Sequence, residues 1–131
     1  MIRPIVSFDR PIIDEWISRD PDHSAKGMTA QFFIDDALSG FAVTSQDETV
    51  MFVRVDFQGS TAKMHIQFDE GKPLRTARAL IDNFPYVVKM LEAVGAHDVI
   101  FDSMSPKLTH FCVKYLGFSR VGDTNDYARA I

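Results

Sequence analysis

The sequence predicts a mixed α/β fold, an α+β sheet with helices packed on it, and three observations carry that expectation. Two stretches, residues 50–58 and 62–69, set their side chains alternately on two faces at the two-residue period of strands. Residues 74–94 then repeat apolar positions at i, i+3, i+4 and i+7, the period of a helix buried along one side. The apolar segment Asp98–Asp102 follows, so strand, long helix and strand stand in succession, which implies a right-handed parallel crossover.

Taken in order, residues 2–6 are short and β-branched, broken only by Pro4, and suit a first strand at a sheet edge. Ser7 or Asp9 then caps a helix with Pro11 in its first turn, and Ile12, Ile13, Trp16 and Ile17 form its apolar face. Residues 19–28 are polar, hold Pro21 and Gly27, and read as a loop long enough to shape a site. A second short helix is expected over residues 29–38, with Phe32, Phe33 and Leu38 as core candidates. Strands 40–44 and 50–58 flank the polar turn Ser45-Gln46-Asp47-Glu48. On the second of them Met51, Val53, Val55 and Phe57 face one way and Phe52, Arg54 and Asp56 the other.

After the Gly59-Ser60 turn, strand 62–69 sets Met64, Ile66 and Phe68 against His65, Gln67 and Asp69, so the middle of the chain is an antiparallel meander. The long helix follows Glu70-Gly71-Lys72-Pro73. It is expected to kink at Pro85, or to be two helices abutting at Asn83 and Phe84, with Gly95 as its C-cap. Val99, Ile100 and Phe101 in succession mark a strand covered on both faces. Ser105 caps a last helix with Pro106 in its first turn. Leu108, Phe111, Cys112, Tyr115 and Leu116 form its apolar side, and Gly117 stops it. Residues 118–121 and 126–131 close as a hairpin around Gly122-Asp123-Thr124-Asn125. The expected order is β-α-α-β-β-β-α-β-α-β-β in one domain, residues 1–131, because this length supplies one core and is too short for two.

Composition excludes several classes. Acidic residues outnumber basic ones 18 to 14, a formal net charge of −4, which argues against a surface built to bind nucleic-acid phosphates. Cys112 is the only cysteine, so no internal disulfide forms and a reducing, cytoplasmic compartment fits. No apolar run approaches the ~20 residues of a membrane span, and the first residues lack the apolar stretch of a secretory signal. His23, His65, His97, His110 and Cys112 are scattered without metal-ligand spacing. Ser103 and Ser105 have no paired base for a hydrolase triad. His23 and His97 read as surface residues, and His110 as facing solvent.

The order of elements resembles the GNAT superfamily of acyltransferases. So does the block Ser105-Pro106-Lys107-Leu108-Thr109-His110-Phe111-Cys112-Val113-Lys114-Tyr115-Leu116-Gly117-Phe118, a short helix ending in Leu-Gly-Phe. The stretch from Phe32-Phe33-Ile34-Asp35-Asp36 through Val55 is similar to that family's antiparallel front half. The likeness covers most of the chain as topology and about the last 30 positions residue by residue. It implies an acetyl-CoA-dependent N-acetyltransferase acting on an amine of a small molecule or a protein. The amine would attack the thioester directly, in a wedge between strands 62–69 and 98–102. The resemblance further implies that backbone groups of Ile66, Gln67 and Phe68 bind the pantetheine arm. It assigns the diphosphate to the turn and helix start at Gly71, Lys72, Arg75, Thr76, Ala77 and Arg78. His65 or Glu70 would relay the proton.

The residues depart from the family pattern at two places. The family's turn reads Gln/Arg-x-x-Gly-x-Gly/Ala. With Lys72 first, Arg75 stands where glycine belongs and Ala77 where Gly or Ala is allowed; with Arg75 first, Arg78 and Leu80 stand there. Pro73 also removes an N–H donor. What remains is a basic cluster, Lys72, Arg75 and Arg78, set unfavourably against the helix dipole. It either binds phosphate by charge or is a solvated edge pairing with Asp69, Glu70 or Asp82. The family's tyrosine, four residues before the glycine of Leu-Gly-Phe, is Val113 here, and Ser105-Pro106 replaces its asparagine. Tyr115 lies about 200° round the helix from Val113 and is expected to pack; Cys112 is expected in the core. His65 and Asp69 share a strand face roughly 13 Å apart, and outside a chemical role His65 is a partly buried strand histidine.

These departures support a second reading, a GNAT-like structural or interaction module without catalysis. Small GNAT-like proteins of tailed phages are similar at the Gly71-Lys72-x-x-Arg75 turn, at Lys89-Met90-Leu91-Glu92 and at Lys114-x-x-Gly117, which implies a virion-associated protein. A homodimer is compatible with either reading.

Overall fold

A computed structural model describes residues 1–35 and 40–131. In chain order it holds β1 (Ile2–Pro4), a 3-10 turn (Ser7–Asp9), α1 (Arg10–Ser18), α2 (Pro21–Ala25), α3 (Ala30–Ile34), β2 (Gly40–Ser45) and β3 (Glu48–Gln58). There follow β4 (Thr61–Phe68), α4 (Pro73–Ala93), β5 (Asp98–Asp102), α5 (Pro106–Tyr115), β6 (Ser119–Arg120) and β7 (Asp126–Ala130). The strands form one mixed sheet in the order β1-β2-β3-β4-β5-β7-β6. The segment read as a loop over residues 19–28 contains α2. Asp20 caps it, its Oδ1 accepting from the N–H groups of Asp22 and His23 at 3.0 and 3.1 Å, and Pro21 opens it. Asp36 and Leu38, the end of the expected second helix, lie outside the described residues.

The chain forms two compact units, Met1–Arg54 with Ile66–Ala79, and Val55–His65 with Leu80–Ile131. β3, β4 and α4 each run unbroken from one into the other.

In the first unit β1, β2 and the start of β3 pair antiparallel, Ile2 opposite Val43 and Phe41 opposite Val53, with a register slip between Val43 and Thr44. Gln46 and Asp47, at φ 52° and 63°, make the two-residue turn that suits the right-handed twist of a hairpin. Ile5, Ile13, Trp16, Ile17, Ala30, Phe33, Ala42 and Phe52 form the core, with the Trp16 and Phe52 rings 5.2 Å apart. Burying each large side chain contributes about 1.5–3 kcal/mol. Met51, Phe52 and Val53 are all buried, so this part of β3 is covered on both faces, as its unbroken apolar run Val50-Met51-Phe52-Val53 allows. Asp9 stands at the N-cap of α1 but makes no capping bond there. Its carboxylate instead binds Arg3 through two contacts, 2.9 and 2.8 Å, and accepts from the Val6 N–H at 2.9 Å.

In the second unit β4 pairs parallel with β5, Thr61 opposite Asp98, Ala62 opposite Val99 and Lys63 opposite Ile100. β7 pairs antiparallel with β5 along its whole length and carries β6 on its other edge. Leu80, Phe84, Val87, Leu91, Val99, Phe101, Cys112, Leu116 and Phe118 are buried, with Phe118 5.6 Å from Phe84 and 5.0 Å from Phe101 between ring centroids. α4 is one helix through Pro85, not two. Pro85 and Ile81 are both exposed, so the carbonyl that loses its usual N–H donor is on the solvent side. The Ala96 N–H bonds the Leu91 carbonyl at 3.0 Å past Gly95 at φ +92°, the left-handed closure that the glycine permits.

Candidate functional site

The last three residues of β4, the turn after it and the start of α4 lie in the first unit, and together they hold every residue expected to contact the cofactor. Alternation sets Met64, Ile66 and Phe68 on one face and His65, Gln67 and Asp69 on the other. The covered residues are Ala62 and Met64, then Gln67 and Asp69, while Ile66 and Phe68 are half-buried. Gln67 is fully buried, and Asp20 at the cap of α2 and His23 within α2 supply its polar partners. Its Nε2 donates to the Phe68 carbonyl at 3.0 Å and to Asp20 Oδ2 at 3.4 Å, and its Oε1 lies 2.6 Å from His23 Nδ1. His23 Nδ1 is also 3.3 Å from Asp20 Oδ2, and its side chain is 14% exposed. His23 is therefore not the surface residue expected from its polar neighbours. The missed signal was Asp20-Pro21, a cap followed by a first-turn proline, which marks a helix within the supposed loop.

The turn into α4 is closed by Asp69. Its Oδ1 accepts from the Gly71 N–H and from Arg19 Nη1, both at 2.9 Å, and its carbonyl accepts from the Lys72 N–H at 3.1 Å. A Cβ at Gly71 would stand 3.3 Å from that Oδ1 and 3.5 Å from Arg19 Nη1, so the close approach explains the glycine. Thr76 is buried; its N–H and hydroxyl both reach the Lys72 carbonyl, at 3.2 and 3.1 Å, which makes Lys72 the effective N-cap. With Pro73 lacking an N–H, the first-turn amides that the helix cannot satisfy internally are those of Leu74 and Arg75. Lys72 and Arg78 are exposed, and Ala77 is half-buried. Arg75 folds back to an ion pair with Glu48, a partner outside the three expected, and its Nε is buried without a hydrogen bond.

Fit to a diphosphate is thus partial. Two helix amides and the Lys72 and Arg78 side chains suit it, while the Gly71 amide is already taken by a carboxylate. Glu70 is exposed on the same turn.

Elsewhere, in the second unit, His65 Nε2 lies 3.3 Å from Asp56 Oδ2 with its side chain 18% exposed. The β4–β5 ladder covers three residue pairs and ends at Lys63 and Ile100. β4 continues in this unit through Met64 and His65, and β5 through Phe101 and Asp102. The two strands expected to border the acyl site are adjacent and parallel, and they are not zipped together to their ends. Ser105 caps α5, accepting from the Leu108 N–H at 3.4 Å. Val113 is exposed at the family's tyrosine position. Tyr115 is exposed as well, against Phe111 at 5.1 Å, and does not pack into the core as expected. Cys112 is buried, and burial pushes its thiol up to about 12, which leaves it an inert core residue. His97 and His110 are exposed. Among the described residues no helix is long and apolar enough to cross a membrane.

The sequence matches no protein-family model and no curated protein. The structure is similar to solved acetyltransferases over nearly its whole length. An acetyltransferase of the GNAT family from Staphylococcus aureus Mu50 superposes with a TM-score of 0.72 at 11% identity, covering 99% of this chain and 98% of that one. An aminoglycoside acetyltransferase, AAC(6')-Ib, in complex with coenzyme A and kanamycin gives 0.71 at 11% identity, covering 99% and 94%. The ribosomal-protein-S18-alanine N-acetyltransferase from Escherichia coli gives 0.63 at 14% identity, covering 100% and 93%. The fold is that of the GNAT acetyltransferases.

Proposed function

We propose that this protein is an N-acetyltransferase that moves an acetyl group from acetyl-CoA to an amine. The observation that carries the reading is the short β4–β5 ladder in this fold, which stops at Lys63 and Ile100 while both strands run on. Unpaired strand edge presents backbone N–H and C=O groups, and a pantetheine arm is an extended amide chain able to pair with them. On this reading Ile66, Gln67 and Phe68 offer that backbone. The diphosphate is held by the Leu74 and Arg75 amides with Lys72 and Arg78, while Gly71, Thr76 and Ala77 shape the turn and the first helical turn beneath it. His65 and Glu70 are proton-relay candidates by position. The acceptor is an amine of a small molecule or a protein; the similar enzymes include one named for a ribosomal-protein alanine and one solved with kanamycin. A single domain without membrane or nucleic-acid partners is part of the same reading.

Two observations favour a second reading, a GNAT-fold module without catalysis. Asp69 occupies the Gly71 amide that a phosphate oxygen would use, and Val113 replaces the family's acid. Calorimetric titration with acetyl-CoA separates the two. Saturable binding supports the acetyltransferase; no heat at high micromolar concentration removes it and leaves the second reading.

A further inference from the structure

We infer that His23 is the catalytic base of this protein, taking the proton of the acceptor amine at Nε2. The inference rests on the acetyltransferase reading and assigns its proton transfer to a residue outside the expected set. Both partners of Nδ1 are acceptors, Gln67 Oε1 at 2.6 Å and Asp20 Oδ2 at 3.3 Å. The amide of Gln67 cannot be turned over to donate instead, because its Nε2 already faces two acceptors, the Phe68 carbonyl and Asp20 Oδ2. Nδ1 therefore carries the hydrogen, and the lone pair of the neutral ring lies on Nε2, which makes no hydrogen bond among the described residues.

Asp20 is suited to the second part of the role. It is buried, and its Oδ1 is fixed by the amides of Asp22 and His23, which leaves Oδ2 to stabilise the imidazolium formed on proton uptake. The charged groups of the adjoining segments include the Asp22–Lys26 pair, Arg19 with both Glu15 and Asp69, and the exposed Glu70. Gln67 also places the ring. It lies between Ile66 and Phe68 on β4 and bonds the Phe68 carbonyl, so His23 hangs by one hydrogen bond from the strand segment assigned to the pantetheine arm. In the step itself the amine nitrogen bonds to the thioester carbonyl carbon, its proton passes to His23 Nε2, and the C–S bond breaks. The sulfur leaves as coenzyme A thiolate and takes a proton from water.

Two measurements test this. Nitrogen–proton correlation spectra of the wild-type histidine rings should show His23 as the Nδ1–H tautomer when neutral; the Nε2–H tautomer overturns the inference without any turnover assay. Transfer from acetyl-CoA to kanamycin and to an alanine-terminated peptide should then fall about 10²-fold or more in His23→Gln. Acetyl-CoA affinity should be retained, the acid limb of the kcat/KM profile should vanish, and imidazole should partly rescue His23→Ala. An unchanged rate in His23→Gln, an unmoved acid limb, transfer to neither amine, or an acid limb removed by His65→Gln instead overturns the assignment. Where acetyl-CoA binds and turns over but His23→Gln is silent, only the base is wrong. Where the wild type binds no acetyl-CoA, both readings fall together.

Discussion

Asp9 and Arg3 meet because the 3-10 turn over Ser7–Asp9 folds back on β1, and the carboxylate then takes both guanidinium nitrogens and the Val6 amide. Burial raises the Asp9 carboxyl, but the Arg3 guanidinium and the Val6 N–H outweigh it and hold it below the ordinary carboxylate range. A carboxyl more acidic folded than unfolded stabilises the fold fully above the unfolded value near 4 and loses that contribution as pH falls through the folded value. Asp9→Asn should therefore cost about 1–2 kcal/mol at pH 7, the figure being moderated by the partial exposure of Arg3. The difference should shrink below pH 4 in urea titrations; a pH-independent difference would refute the linkage. Asp9 was one of two legible helix caps, with Ser7, from its place before Pro11, yet its carboxylate goes to a guanidinium six residues back. His23 was less legible still. A polar residue in a polar segment reads as surface, yet buried Asp20 lies beside its ring and Gln67, 44 positions away, gives it a second buried partner.

Among the elements, α4 was the easiest to read and the turn before it the hardest. Apolar period defines the helix locally, whereas the closure of the turn depends on Arg19, 50 residues distant, holding Asp69 over Gly71. The consequence concerns affinity. A carboxylate on the Gly71 amide opposes a diphosphate, and its removal frees the Gly71 N–H and leaves Arg19 with its Glu15 contact, so that both can turn to phosphate oxygens. Asp69→Ala should bind coenzyme A roughly fivefold to tenfold more tightly than wild type at low salt, ~1–1.4 kcal/mol. The gain should fade as salt is added. Equal or weaker binding in a calorimetric titration would mean that this turn is not where the diphosphate sits.

For the molecule as a whole, the switches of period were enough to give the mixed sheet and its parallel β4–α4–β5 step, because each depends on one segment's own burial pattern. The division into two compact units left no such trace, since β3, β4 and α4 belong to both. That sharing has a thermodynamic consequence. Neither unit can unfold alone without cutting two strands and a helix partway along, and a partly frayed helix or strand leaves backbone groups unpaired. The chain carries its own reporters: its one tryptophan, Trp16, lies in the first unit, and its three tyrosines, Tyr86, Tyr115 and Tyr127, lie in the second. Tryptophan fluorescence and tyrosine absorbance should therefore trace one urea transition with the same midpoint and slope, as a two-state domain requires. A tryptophan transition that precedes the tyrosine one would show the units unfolding independently. The single-domain reading of residues 1–131 would then be wrong.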